Sequence, residues 1–213
     1  MAARTYRYFD PLAQALDDAG ERWALLIVRE LLDGPRRYGE LQQRLPGLST
    51  ARLADRLREL RAGGLIDEGY ELTAEGRLLA PAIHALTRFG LSRLRPLPGT
   101  STVYRPAFAA YALRSLADAA GPAAGRYTSI TQVEGEEFCT RQDEHGTVTW
   151  AGDPGTPSPE VVRLDTMTAL SLATGARSLA DARRAGYLDA ARTADDGQRW
   201  ARAHKLSAIP AAT

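Results

Sequence analysis

Apolar residues recur at helical spacing through the first 98 residues, in segments that glycine and proline separate. Asp10 followed by Pro11 is a typical helix start, and the first predicted helix runs from there to Gly20. The next segment, 21–33, has the wide apolar surface of a central helix in a small bundle. A third, shorter helix is predicted over 39–45. The pattern therefore predicts an N-terminal bundle of short helices.

The segment 48–64 combines one apolar side with one polar side. Ser49 is a favourable N-cap, leucines recur at helical spacing, and the glycine pair at 63–64 ends the pattern. The leucine side predicts a helix that packs on the core of its domain and leaves its opposite side free. The residues that we expect in this core include Trp23, Leu26, Leu53, Leu57 and Leu60.

The free side of this helix has the residue types of a DNA recognition helix. An arginine pair at the start of the preceding helix predicts phosphate contacts, whereas Arg56, nearer to the leucines, is expected to form an internal ion pair. A solvated charged surface is the alternative for both the helix face and the arginine pair. The candidate DNA-binding residues are Arg36, Arg37, Ser49, Thr50, Ala51, Arg52, Asp55 and Arg58.

A small hairpin and a long helix are predicted next. Residues 65–72 alternate between apolar and polar on both sides of Gly69, which predicts a hairpin, or wing. Thr73 then starts an apolar pattern that predicts one helix continuing to Leu94 before Pro96. Helix, helix, helix, turn, helix, hairpin and helix is the order of a winged helix-turn-helix domain.

Five runs in this region resemble, in order and spacing, the bacterial HxlR-type regulators. The resemblance covers residues 8–98 and implies a homodimeric DNA-binding transcription regulator, with the first and last helices of each protomer in the dimer interface. The five runs are Asp17–Leu41, Leu45–Ser49, Leu53–Leu60, Gly64–Ile66 and Tyr70–Gly76.

Three departures from the family pattern bear on function. Where many members carry a sensing cysteine near the first helix, this chain has Phe9 and Asp10, so thiol sensing by that route is not expected. Ala51 stands where the family often has a lysine, which leaves base readout to Arg52 or to the Ala51 methyl group. The predicted wing carries three carboxylates, which would repel phosphate. They belong to Asp67, Glu68 and Glu71.

The second half of the chain mixes helices and strands after a predicted linker at 96–102. Helices are predicted over Val103–Ala120, Leu179–Ala185 and Asp195–Lys205. Strands are predicted over Arg126–Val133, Glu137–Arg141, Thr147–Ala151 and Tyr187–Asp189, with a strand entering a helix over Val161–Ala173. The pattern predicts an α/β domain over residues 99–213.

This order, with the segments Asp165–Ala176, Ser178–Ala185 and Gly186–Leu188, is similar to that of sterol-carrier-protein-2-like domains. The resemblance implies a twisted sheet and an apolar cavity that holds a lipid or aromatic molecule between sheet and helices. Plain core packing is the alternative for each candidate, because a buried aromatic side chain needs no ligand. The candidate ligand-binding residues are Phe108, Tyr111, Phe138, Trp150, Met167 and Trp200.

Composition removes several classes of function. The net charge of +1 gives no overall basic surface, so DNA binding must come from local clustering. Cys139, the single cysteine, excludes a disulfide within the chain and is expected as a small buried hydrophobe. The acidic residues at 134–145 predict a solvated hairpin, with a hard cation as the alternative. Without a catalytic, metal or phosphate-loop motif, neither an enzyme nor a cofactor is expected.

Together these patterns predict an α+β protein. A winged helix-turn-helix DNA-binding and dimerisation domain is predicted over 1–98, and a sterol-carrier-protein-2-like small-molecule-binding domain over 99–213. We expect a cytoplasmic homodimeric repressor that binds an inverted-repeat operator in double-stranded DNA, does not associate with membranes, and responds to an apolar effector. The alternative is a small-molecule sequestering protein that uses the winged helix only for dimerisation.

Overall fold

The computed structural model describes residues 6, 9–94, 105–156, 159–190 and 196–206. The chain forms two compact units, one within 1–83 and one within 84–213. The predicted linker at 96–102 and the predicted domain boundary between residues 98 and 99 lie outside the described residues. No helix in these ranges is both long enough and apolar enough to cross a membrane.

The first unit is a set of short helices around a leucine-rich core. Its helices are α1 (Pro11–Ala19), α2 (Ala24–Leu31), α3 (Tyr38–Arg44), α4 (Thr50–Ala62), α5 (Ala74–Arg77) and α6 (Ala80–Leu91), the last of which continues into the second unit. Local caps fix the helix starts, since Asp10 accepts a hydrogen bond from the backbone N–H of Ala13. A single antiparallel bridge between Ile66 and Leu72 closes the wing. The predicted order of the first four helices followed by a minimal hairpin is therefore confirmed.

The helix predicted from Thr73 to Leu94 is in fact two helices. Thr73 caps α5 as expected, with its hydroxyl accepting the backbone N–H of Gly76 at 3.1 Å. A turn at residues 78–79 then separates α5 from α6. Pro81 near the start of α6 lacks an N–H group, and its ring clashes with the carbonyl four residues earlier in a continuous helix. The single-helix prediction was wrong because it followed the apolar spacing and neglected this proline.

Leu26 was expected in the core, and this expectation is wrong, because the residue is 37% exposed. Leu26 lies about 160° from Val28 and about 140° from Leu31 around the helix at 100° per residue. Val28 and Leu31 are fully buried, so α2 turns Leu26 outwards. Trp23, expected in the core with it, is half-buried and packs against the core from the N-cap position.

Gly76 lies where the chain has no space for a side chain. A Cβ atom there would be 2.1 Å from the carbonyl oxygen of Leu65 and 3.2 Å from Cδ2 of Leu72. We expect Gly76→Ala to lower the free energy of unfolding of the first unit by about 2–3 kcal/mol, since backbone must move to relieve the contact. Chemical denaturation would measure the change. The matched control is Gly39→Ala on α3, where a Cβ meets nothing within 4 Å; an equal loss in both variants would contradict this explanation.

The second unit packs helices on a five-stranded mixed sheet. Its further helices are α7 (Pro106–Asp118), α8 (Thr166–Thr174), α9 (Leu179–Arg184) and α10 (Asp196–Ala203). Its strands are β1 (Tyr127–Val133), β2 (Glu136–Asp143), β3 (Gly146–Trp150), β4 (Glu160–Leu164) and β5 (Leu188–Ala190). The strand order is β3-β2-β1-β4-β5, with β1 and β4 parallel and the other pairs antiparallel. The mixed α and β composition predicted for this half is confirmed.

α7 is buried on nearly every side. It packs on α8 and on β1, β2 and β3, and residues 109–117 are all buried. Alanine at many of these positions lets the neighbouring elements approach closely. Arg114 remains inside because its guanidinium lies 5.2 Å from the ring centre of Tyr111 and 5.9 Å from that of Phe138.

Candidate nucleic-acid interface

α4 buries one face and exposes the other. Leu53, Leu57 and Leu60 are buried in the core of the first unit, as predicted. Ser49 caps the helix by accepting the backbone N–H of Arg52, so a hydroxyl and a guanidinium belong to the same helix end. The free face extends along a helix about 20 Å long at 1.5 Å per residue. The candidate positions that the structure leaves exposed at this helix are Ser49, Thr50, Ala51, Arg52, Asp55 and Arg58.

The arginines of α4 differ in how far their charges are compensated. Arg58 donates to Asp55 at 3.0 Å, and both side chains are exposed. Arg56 donates to Glu59 at 2.9 Å, so it pairs within the first unit as predicted, although this pair lies at the exposed surface and not in the interior. Arg52 has no ion-pair partner among the residues that the structure describes. Arg52 therefore offers the least compensated positive charge on this face.

The two arginines before α3 have different surroundings. Arg36 is half-buried, and its Nε donates to the carbonyl oxygen of Glu30 at 2.6 Å. Arg37 is exposed, and its backbone N–H donates to Oε2 of Glu40 at 2.6 Å. The Glu40 carboxylate thus accepts a hydrogen bond from a backbone N–H at the start of α3. A phosphate bound there would otherwise accept this hydrogen bond. Phosphate contacts by this pair stay a prediction, for which Arg37 has the more accessible guanidinium.

Glu30 organises the charges at the end of α2, and our sequence analysis did not identify it. Its side chain is fully buried, with Oε1 accepting from Arg29 at 2.7 Å and Oε2 from Arg44 at 2.6 Å. The carboxylate thereby joins α2 to α3. One signal was present in the sequence, because Glu30 lies three residues after Ile27 and directly before Leu31, both on the buried side of α2.

Side chains of α3 hold the start of α4. The hydroxyl of Tyr38 donates to the carbonyl oxygen of Thr50 at 2.7 Å, and Nε2 of Gln42 donates to the carbonyl oxygen of Leu48. Both acceptors lie at or just before the first turn of α4. These contacts fix the N-terminal end of α4, which carries Ser49 and Arg52, relative to α3.

The carboxylates of the wing are engaged within the first unit. Asp67 accepts the backbone N–H groups of Gly69 and Glu71 at 2.9 and 2.8 Å, which closes the turn. Glu68 pairs with an arginine at 3.1 Å, and Glu71 with another at 2.9 Å; these are Arg61 and Arg77. The repulsion of phosphate predicted for the wing is therefore offset by two adjacent guanidinium groups.

The six aromatic and methionine candidates of the second unit divide into two groups. Tyr111, Phe138 and Trp200 are buried, whereas Phe108, Trp150 and Met167 are half-buried. The ring of His204 lies 4.7 Å from Trp200 and 5.9 Å from Phe138, so it occupies the space between these aromatic residues. A cavity of about 360 Å³ in this unit is lined by other residues. A role in ligand binding for the six stays a prediction.

Cys139 and the acidic residue Glu134 both form hydrogen bonds within the second unit. Cys139 is fully buried as expected, and its Sγ donates to the carbonyl oxygen of Gly152 at 3.1 Å. Burial raises the pKa of the Cys139 thiol, which keeps it protonated and a poor nucleophile. Glu134 accepts from the Thr166 hydroxyl at 2.7 Å. Within the described ranges no three His, Cys, Asp or Glu side chains are grouped to hold a metal ion.

The capped helix α4 has one buried and one free face. It follows α3, whose side chains hydrogen-bond to the start of α4, and it is followed by a short wing. This arrangement defines a winged helix-turn-helix protein. Residues 19–97 match the HxlR-like helix-turn-helix family. The chain belongs to this family, and the predicted HxlR-type N-terminal domain is confirmed.

Three similar proteins align with this chain over 70 to 93 residues. An uncharacterised HTH-type transcriptional regulator of Synechocystis is 37% identical over 90 residues, which cover 38% of this chain and 67% of that protein. The uncharacterised HTH-type transcriptional regulator YvaP of Bacillus subtilis is 32% identical over 93 residues, covering 39% and 86%. The HTH-type transcriptional regulator YodB of Bacillus subtilis is 40% identical over 70 residues, covering 28% and 62%.

Proposed function

We propose that this protein is a homodimeric, sequence-specific DNA-binding transcription regulator that acts as a repressor. The exposed face of α4 carries the proposal. This face combines a capped N-terminal end with the uncompensated Arg52, while the opposite leucines anchor the helix in its core. Membership in the HxlR-like family, whose similar proteins are named transcriptional regulators, supports the same function.

The N-terminal residues of α4 are suited to reading base edges in a major groove. The guanidinium of Arg52 can form two hydrogen bonds with guanine, and the methyl group of Ala51 can contact a thymine methyl group. Arg58 is already paired with Asp55, so it fits a phosphate contact better than base readout. Specificity therefore rests mainly on Arg52, with Thr50 beside it at the helix start.

Exposed apolar side chains support a homodimer. α1 exposes Leu12 and Leu16, and α6 exposes Leu86 and Phe89. Large apolar side chains grouped on helix surfaces are typical of protein interfaces. A two-fold dimer would present two copies of α4 to half-sites separated by about one helical turn of DNA, which predicts an inverted-repeat operator.

The second unit supplies the sensing part of the proposal. An apolar or aromatic effector held between its sheet and helices would change the spacing of the two α4 helices and thus the affinity for both half-sites. The likeness of this unit to sterol-carrier-protein-2-like domains, a prediction from sequence, suggests this ligand class. Screening lipids and aromatic acids for release of bound DNA would test this step.

We expect Arg52→Ala to weaken binding to the operator by about ten- to a hundredfold, because one bidentate base contact is worth about 1–3 kcal/mol. The measurement is a gel shift with the region upstream of its own coding sequence, at about 0.1–0.15 M salt, where non-specific phosphate binding is weakened.

The matched control is Arg22→Ala, which removes one exposed positive charge of the same unit from a site outside α4. An equal loss of DNA affinity in both variants would show that Arg52 contributes only a positive charge, and this would contradict base readout by Arg52. If the unmodified protein gives no discrete gel shift with its upstream region or with genomic fragments, the proposed regulator function is refuted. The sequestering protein would then be the favoured alternative.

A further inference from the structure

A cavity of about 360 Å³ opens at one end of the sheet in the second unit. Its walls come from the connection between α7 and β1, the adjacent ends of β1 and β2, and α10. The lining residues are Ala123, Ala124, Gly125, Arg126, Tyr127, Gln142, Arg199 and Arg202. None of the six aromatic and methionine candidates is among them, so this cavity differs from the apolar site predicted from sequence.

Three arginines line this cavity, and its lining contains no carboxylate. Arg199 and Arg202 are three residues apart on α10, which places them on one side of the helix, where like charges repel. Arg126 lines the same cavity from the position directly before β1. Arg126 and Arg202 have no ion-pair partner within the part of the chain that the structure describes. A bound anion would compensate the charges of Arg126 and Arg202.

The acidic side chains next to the lining already have partners. Asp143 lies 3.3 Å from Nε of Arg141, and Glu160 accepts the hydroxyl hydrogen of Tyr127 at 2.5 Å. The Tyr127 hydroxyl is thereby used as a donor outside the cavity. The guanidinium groups of Arg126 and Arg202 remain as donors for a ligand, and they match the planar geometry of carboxylate and phosphate oxygens.

The wall formed by residues 121–125 is fixed before any ligand arrives. Gly121 O accepts from Nε2 of Gln142 at 3.1 Å and from Oγ1 of Thr147 at 2.7 Å, and the N–H of Ala123 donates to the carbonyl oxygen of Asp143 at 2.9 Å. The side chains at 123–125 are no larger than methyl groups, which leaves the space open. A fixed wall lowers the entropy cost of binding.

We propose that this cavity binds a small anionic ligand through Arg126 and Arg202, and that the ligand carries carboxylate or phosphate oxygens. The volume lies within the range of small-molecule sites. Binding itself does not depend on DNA, whereas a role of this ligand in regulation rests on the proposed function. The site is thus a second one, distinct in chemistry from that of the apolar effector.

The test is isothermal titration calorimetry of the full chain with pyrophosphate and with citrate, at a constant ionic strength of about 0.1 M so that general screening is equal. We expect saturable binding of one or both probes. Arg126→Gln and Arg202→Gln should each weaken it by about tenfold or more, as for loss of a charged hydrogen bond. Binding of pyrophosphate alone would assign a phosphorylated ligand, and binding of citrate alone a polycarboxylate.

The matched control is Arg184→Gln on α9, which removes an exposed guanidinium that pairs with Asp181 outside the cavity. Equal weakening in Arg184→Gln and Arg126→Gln would show only general attraction to positive charge and overturn the site. If neither probe shows saturable binding up to about 10 mM, the site is overturned as well. A dissociation constant of that size corresponds to a binding free energy of roughly −3 kcal/mol. DNA binding by the unmodified protein is measured separately in the gel shift. A negative gel shift would therefore contradict the proposed regulator function without affecting the calorimetric test of anion binding.

Discussion

Replacing Glu30 by glutamine is expected to lower the free energy of unfolding of the first unit by about 3 kcal/mol. The change keeps the volume of the side chain and removes the charge that holds two arginines. Arg29 and Arg44 are only 14% and 21% exposed, so water replaces the lost carboxylate incompletely. This partial exposure places the expected loss at the lower end of the range for breaking a buried ion pair.

Hydrogen exchange of the full-length protein would measure this loss, because it reports the opening of each unit separately. Backbone amides of α2 and α4 should lose protection, while those of β1 and β2 serve as an internal reference. The control Glu59→Gln removes a carboxylate from an exposed pair with Arg56, where we expect a change of at most about 1 kcal/mol. A loss in Glu30→Gln no greater than in Glu59→Gln would show that the buried pair adds little stability.

Lowering the pH from 6.5 to 4 is expected to destabilise the second unit through His204. Burial lowers the pKa of His204 to about 4, against an unfolded value of about 6.5. Between these values the unfolded chain binds one more proton than the native chain, so stability falls as the pH falls. The full difference corresponds to about 3 kcal/mol. Burial lowers the pKa of His84 as well, which acts in the same direction.

The contacts of His204 explain why it stays neutral in the folded protein. Its Nδ1 lies 2.8 Å from the carbonyl oxygen of Trp200, which can only accept, so Nδ1 carries the proton. Its Nε2 lies 3.4 Å from Oγ1 of Thr140 and accepts from that hydroxyl. A second proton on Nε2 would remove this acceptor and place a charge between the aromatic rings of Phe138 and Trp200.

Denaturant unfolding at pH 7 and at about pH 4.5 would test the effect, with His204→Gln compared with His145→Gln, a change at an exposed histidine. We expect His204→Gln to reduce the difference in stability between the two pH values, and His145→Gln to leave it unchanged. NMR of the unmodified protein should show the His204 imidazole still neutral at about pH 5. Titration of this ring near 6.5 would contradict the prediction.

Much of the fold follows from local sequence signals. Asp10, Ser49, Thr73 and Asp165 each cap the helix that follows, as their residue types indicate. The leucine spacing of α4 predicted both its buried face and the exposure of the opposite positions. Caps and periodicity act within one or two helical turns, so they can be recognised without knowledge of the partner elements. For the same reason the exposed candidates on α4 could be chosen from sequence.

Contacts between distant segments decided the remainder. Burial of Glu30 depends on Arg44, which α3 supplies, and burial of α7 on every side depends on α8 and three strands. The cavity with Arg126 and Arg202 exists because the start of β1 and α10 meet in the folded unit. The sequence by itself determined which segments form helices and strands and which face of α4 is free. Only the tertiary structure decided which charges are buried together and where a cavity opens, because both depend on partners far apart along the chain.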